Sequence, residues 1–185
     1  MIKPAITTAL LLFGISLATS GPADAQSFAV TSADALNGTL PRTSFTDQMG
    51  CDGHNVSPEI SWRGAPEGTK SFVVSIYDQD AQTGSGFWHW VVINVPAGTT
   101  SLPRGAGTDA AKLPAGAIES NTDIGEPGYV GPCPPVGQTH RYLVTVKALS
   151  VEKLQLPNNA PGALVGLFSN MNSIGQATVT LKGSR

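Results

Sequence analysis

Short runs in which apolar and polar residues alternate, or in which β-branched and aromatic residues gather, recur along the chain between turn-forming stretches. Ser27–Ser32 (SFAVTS), Glu59–Trp62 (EISW), Ser71–Tyr77 (SFVVSIY), Phe87–Val95 (FWHWVVINV), Arg141–Leu149 (RYLVTVKAL) and Ala177–Leu181 (ATVTL) have the length and composition of strands. Asp52-Gly53, Gly64-Ala65-Pro66, Asp80-Ala81-Gln82-Thr83-Gly84 and Pro96-Ala97-Gly98 between them carry turn chemistry. One helix is predicted from about Pro161 to Met171, because Leu164, Leu167, Phe168 and Met171 fall at i, i+3, i+4 and i+7. Asn159 is its expected cap, Pro161 suits its first turn, and the helix is expected to cover a sheet edge. The pattern therefore predicts a mainly-β domain with one or two peripheral helices.

Within Gly86–Val92 (GFWHWVV), strict alternation would place Trp88, Trp90 and Val92 on one face and Phe87, His89, Val91 and Ile93 on the other. Both faces are then largely apolar, as in a strand covered on both sides. An imidazole left there without a partner costs on the order of 1–3 kcal/mol, so His89 needs a hydrogen-bond acceptor.

Composition narrows the class. The first 25 residues hold an early lysine, Lys3, an uncharged apolar run from Ala5 to Ala18, and Ala23-Asp24-Ala25 before Gln26. This is the layout of a secretory signal peptide, so the expected organisation is a leader over residues 1–25 and a single domain over 26–185, with a periplasmic or secreted location. The apolar run is short for a membrane span, and no other stretch could cross a bilayer as a helix. A formal charge of −2 with 13% charged residues and no basic block argues against nucleic acid. In an oxidising compartment Cys51 and Cys133 are expected to form one disulfide, closing a loop of roughly 80 residues and contributing about 4 kcal/mol. Two buried unpaired thiols, or one reactive thiol, are the alternative.

Two clusters carry candidate chemistry. Asp78-Gln79-Asp80 follows the strand SFVVSIY at its carboxyl end. Such a pair can simply cap a turn, but if the flanking strands form a hairpin, Asp78 or Asp80 comes near His89. The second cluster is Gly131–Tyr142 (GPCPPVGQTHRY), at the end of a Gly- and Pro-rich segment from Pro103 to Gly137 that is too long for a mere connection. Its prolines make a stiff wall whose amides at Gly131, Cys133 and Gly137 are the expected free donors. His140 and Tyr142 share a face of the following strand, and Arg141 points away. Imidazole and phenol donors with aspartates behind them describe a small anion pocket. The same Asp78, Asp80, His89 and His140 could instead ligate a metal in a hydrolase, which is the alternative reading.

The stretch from Cys51 to Gly98, with DQDA and WHW, followed by GYVGPCPPVGQTHRY, resembles the phosphatidylethanolamine-binding protein family, also called Raf-kinase-inhibitor-like, in its bacterial YbhB/YbcL branch. The resemblance spans roughly residues 27–181. It implies an antiparallel Greek-key β-sandwich with one or two peripheral helices, and a non-catalytic binding protein, not an enzyme, with no cofactor. The implied ligand is a small anion such as phosphate or a phospholipid headgroup, and a protein of unknown identity could be inhibited through the same mouth. Carried onto this chain, the pocket residues are Asp78, Asp80, His89, Gly131, Pro132, His140 and Tyr142, with the loop to Pro135 as a wall. Gln79 and Gln82 stand where the family usually has prolines. A cis bond before a non-proline residue costs about 2.5–4 kcal/mol, so a trans bond and a reshaped loop are expected at Gln82.

Overall fold

The structure is a computed structural model that describes residues 27–185; the predicted leader lies outside the described residues. All six sequence-predicted strands are present. They are β1 (Ala29–Thr31), β2 (Ile60–Arg63), β3 (Ser71–Asp78), β4 (Phe87–Pro96), β7 (Thr139–Leu149) and β8 (Ser173–Ser184). Two further strands of two residues each, β5 (Ser101–Leu102) and β6 (Ile118–Glu119), complete two antiparallel sheets. The small sheet has the order β1-β2-β5 and the large one β6-β4-β3-β7-β8. The core lies between them, where Val30, Ile60 and Trp62 of the small sheet meet Phe72, Val74, Trp90 and Val144 of the large one. Trp62 and Phe72 meet edge to face with ring centroids 5.3 Å apart.

The outer face of the large sheet is closed by the helix α1 (Gly162–Asn172) and the segment leading to it, with Val73, Val91 and Ile93 packing under Leu154, Ala160 and Val165. The helix thus covers a face and not an edge. Its phase also differs from the leucine stripe: Leu167 and Met171 are 55% and 72% exposed, while Gly162, Val165 and Ser169 are buried. The reason is Trp88, whose indole lies so close to Gly162 that a Cβ there would collide with it. The small-residue side of the helix is the only one that can approach. No side chain caps the helix; Asn159 is not used, and the chain enters through extended Pro161, whose carbonyl accepts from Leu164 and Val165.

Two irregularities in the β3–β4 pairing re-aim side chains. Ile76 pairs with Trp90 and Tyr77 with Trp88, so His89 is an extra residue on β4. The simple alternation read from GFWHWVV is therefore broken. Trp90 enters the inner core, Trp88 joins Val91 and Ile93 at the outer cluster, and His89 turns inward towards Tyr142, ring centroids 5.4 Å apart. A second bulge holds Asn94 at φ 57°, where its Oδ1 accepts from the Leu154 amide at 2.8 Å.

Candidate functional site

Three neighbouring strands deliver the candidate chemistry to one end of the large sheet. Asp78 ends the central strand β3 and is paired with Phe87 of β4 on one side and Tyr142 of β7 on the other. His89 comes from the β4 bulge, and His140 lies two residues before Tyr142. All three polar side chains are buried, Asp78 at 3%, His89 at 6% and His140 at 5% exposure, so each needs partners.

Asp78 is the hub. Its Oδ2 accepts from His140 Nδ1 at 2.7 Å and its Oδ1 accepts from the Asp80 amide at 2.8 Å. His89 Nε2 lies 3.9 Å from the same Oδ2, too far for a hydrogen bond but close enough for a charge to be felt. Burial pushes the Asp78 carboxyl up, yet the two imidazoles and the Asp80 amide outweigh it and hold the group below the usual carboxylate range. His89 finds its acceptor elsewhere than the sequence suggested: its Nδ1 donates to the Val130 carbonyl at 2.5 Å. His140 Nε2 faces Gln138 Oε1 at 3.3 Å, and Gln82 Nε2 approaches that oxygen at 3.4 Å. Both ring nitrogens of His140 thus face oxygens, whereas His89 uses Nδ1 alone.

Above this floor opens a cavity of about 200 Å³. Ala81, Gln82 and Phe87 form one side, Val130, Gly131, Cys133 and Pro135 the other, and Met49 closes over the mouth. Gly131 is required where it stands, because a Cβ would collide with the main chain of Ser44–Thr46. Its amide is not a free donor; it bonds to Asn55 Oδ1 at 2.7 Å, while Asn55 Nδ2 donates to the Tyr129 carbonyl at 3.1 Å. The Gly137 amide is likewise taken, by the Arg185 carbonyl at 2.7 Å. The Cys51–Cys133 disulfide is formed, with Cα atoms 5.9 Å apart.

Not every expected residue faces the cavity. Asp80 turns outward and forms a two-pronged ion pair with Arg141, Oδ1 to Nη2 at 2.6 Å and Oδ2 to Nε at 2.9 Å, which lowers its carboxyl to about 2. It therefore does not brace an imidazole, and the four-residue metal set of the hydrolase reading is split. No group of three or more His, Cys, Asp or Glu side chains among the described residues is arranged to hold a metal. Tyr142 is fully buried beneath the floor, its hydroxyl unpartnered. Burial, with the Asp78 charge adding to it, raises its phenol well above the ordinary value and keeps it neutral. Pro132 is also buried and outside the lining. The peptide bond before Gln82 is trans. Sequence reasoning missed Met49, Phe87, Val130, Asn55 and Gln138; only Gln138 carries a signal, as a polar residue beside the wall motif.

Of the residues the sequence singled out, Asp78, His89, Gly131 and His140 meet at one end of the large sheet. The profile of the phosphatidylethanolamine-binding protein family matches residues 30–184, and the chain belongs to that family. Among its relatives, UPF0098 protein YbhB of Escherichia coli K12 is 48% identical over 141 residues, covering 76% of this chain and 89% of YbhB. UPF0098 protein YbcL of the same organism is 48% identical over 161 residues, covering 85% and 88%. The crystal structure of E. coli YbcL superposes with a TM-score of 0.81 at 45% identity, over 85% of this chain and 98% of that one. A phosphatidylethanolamine-binding protein homolog of Chlamydia trachomatis, CT736, reaches 0.69 at 25% identity, over 85% and 95%.

Proposed function

We propose that this protein is a non-catalytic binder of small anions, phosphate or a phosphate-bearing group of the phospholipid-headgroup kind, acting outside the cytoplasm as the leader expected over residues 1–25 implies. One observation carries the reading. At the base of the cavity two buried imidazoles flank one buried carboxylate: His140 Nδ1 donates to Asp78 Oδ2 at 2.7 Å and His89 Nδ1 to the Val130 carbonyl, which leaves His89 Nε2, 3.9 Å from the same Oδ2, without a hydrogen bond. An imidazole held through one nitrogen presents the other to a ligand, and a ring N–H there is a donor to an anion. The family name, which cites a phospholipid whose headgroup carries a phosphate, supports the same ligand class, and a protein partner inhibited through this mouth is compatible with it. In this reading Asp78 orients the His140 ring and Asp80 pairs with Arg141.

Titration calorimetry with inorganic phosphate tests the reading. His89→Ala and His140→Ala should each weaken binding at least severalfold. Unchanged affinity in both variants would refute it.

A further inference from the structure

The cavity has more apolar lining than a bare anion needs. Its base is polar, but Met49, Phe87 and Pro135 form an apolar collar above it. Met49 is 69% exposed although it lines the cavity, and it sits at φ 54° with Gly50 following at φ 76°, in the turn closed by the Cys51 amide on the Gln48 carbonyl at 2.9 Å. A side chain at positive φ is unfavourable and persists when its surroundings over-determine it. Here they do so three times. The Cys51–Cys133 disulfide ties the turn to the cavity wall. The Arg185 guanidinium donates to the Gly50 carbonyl and contacts Cys133 Sγ at 3.5 Å. The Arg185 main chain is in turn fastened to Gly137 and Gln138, beside His140.

We infer that this braced turn is the specificity element of the site: Met49 covers a short apolar substituent on the anion, so the site prefers a phosphate bearing a short alkyl group over inorganic phosphate. The inference rests on the anion reading above. A thioether suits the task, being unbranched and polarizable and able to follow ligands of different outline. The disulfide holds the collar over the charged base, and its reduction releases the turn.

The test compares inorganic phosphate with methyl, butyl, hexyl and decyl phosphate by calorimetry. The oxidised protein should gain about threefold or more in affinity for each of the first few methylenes, then level off as the chain leaves the collar. The ratio of hexyl phosphate to inorganic phosphate affinity should fall at least fivefold in Met49→Gly, which relieves the backbone conformation and so keeps the fold, and again in Cys51→Ser with Cys133→Ser. An unchanged ratio in Met49→Gly overturns the assignment. So does affinity that keeps rising through decyl phosphate, which would place a lipid tail outside the collar. If inorganic phosphate binds through the histidines but alkyl esters gain nothing, the collar fails and the anion reading stands. If no phosphate binds at all, both fall.

Discussion

The floor and the rim of the cavity are built by different means. Asp78, His89 and His140 stand on three adjacent strands, and their spacing follows from register, with Asp78 opposite Phe87 and Tyr142. The rim has no such ladder. Met49 and Pro135 sit on loops whose places depend on one disulfide, the Arg185 side chain and the two hydrogen bonds of the Asn55 amide. A floor made by register cannot move without unpairing a sheet, whereas each tie of the rim can be cut alone. The charge-bearing part of the site is therefore rigid, and the part that meets the rest of a ligand is adjustable by single changes.

The largest expected effect comes from cutting the covalent tie. With the cysteines 82 positions apart, replacing both by serine should lower stability by about 4 kcal/mol on the chain-entropy model, read as a shift of the urea midpoint. Under native conditions, amide exchange should accelerate first at Gln48–Gly53 and Gly131–Pro135; equal acceleration in β3 and β7 would erase the distinction between floor and rim. Next comes the floor itself. Asp78→Asn keeps one acceptor oxygen where the carboxylate serves two donors, His140 Nδ1–H and the Asp80 amide, so its NH2 must face one of them; the change should cost about 2–3 kcal/mol. The acid dependence has a fixed sign. Asp78 titrates lower in the folded protein than its unfolded value of about 3.9, so its contribution is complete above that pH and is lost as pH falls through the folded value. The stability gap between the unaltered protein and Asp78→Asn should close on acidification; a gap constant down to the acid transition would show that Asp78 is not the hub.

The contrast between floor and rim also explains what could be read from sequence. Strands of three residues or more announce themselves by composition, and the pair at the end of β7, His140 and Tyr142, is legible because two residues along a strand share a face. Strands β5 and β6, two residues each, leave no pattern. Neither does the bulge at His89, which arises from how β4 meets β3 and reverses the expected company of Trp88. The outward turn of Asp80 follows from its own amide closing on Asp78 Oδ1, and the phase of α1 from the bulk of Trp88, both consequences of packing that alternation does not encode. Met49 was invisible for the same reason as the rest of the rim: its place is set by residues 84 to 136 positions away along the chain, Cys133 and Arg185.

Tyr142 tests how dry the floor is. Its hydroxyl is buried without a partner, so Tyr142→Phe should leave stability unchanged or raise it by up to about 1 kcal/mol. A loss of more than that in a urea titration would mean the phenol has a partner that supports the floor, and His89, which packs edge-on against its ring, would be the first group to re-examine by imidazole NMR.

The smallest effect separates the two aspartates that the sequence treated as a pair. Asp80 and Arg141 have short, two-pronged geometry, but Arg141 is 55% exposed and water competes for both partners. A double-mutant cycle of Asp80→Asn with Arg141→Ala should give a coupling near the detection limit of chemical denaturation, shrinking further as salt is added. The parallel cycle of Asp78→Asn with His140→Ala should give a coupling several times larger and nearly independent of salt, because both side chains are about 95% buried. Phosphate affinity should follow the same division, with Asp80→Asn changing it little and Asp78→Asn abolishing most of it. Equal couplings in the two cycles would mean that Asp80 reaches the floor in solution, and the outward turn that splits it from Asp78 would have to be abandoned.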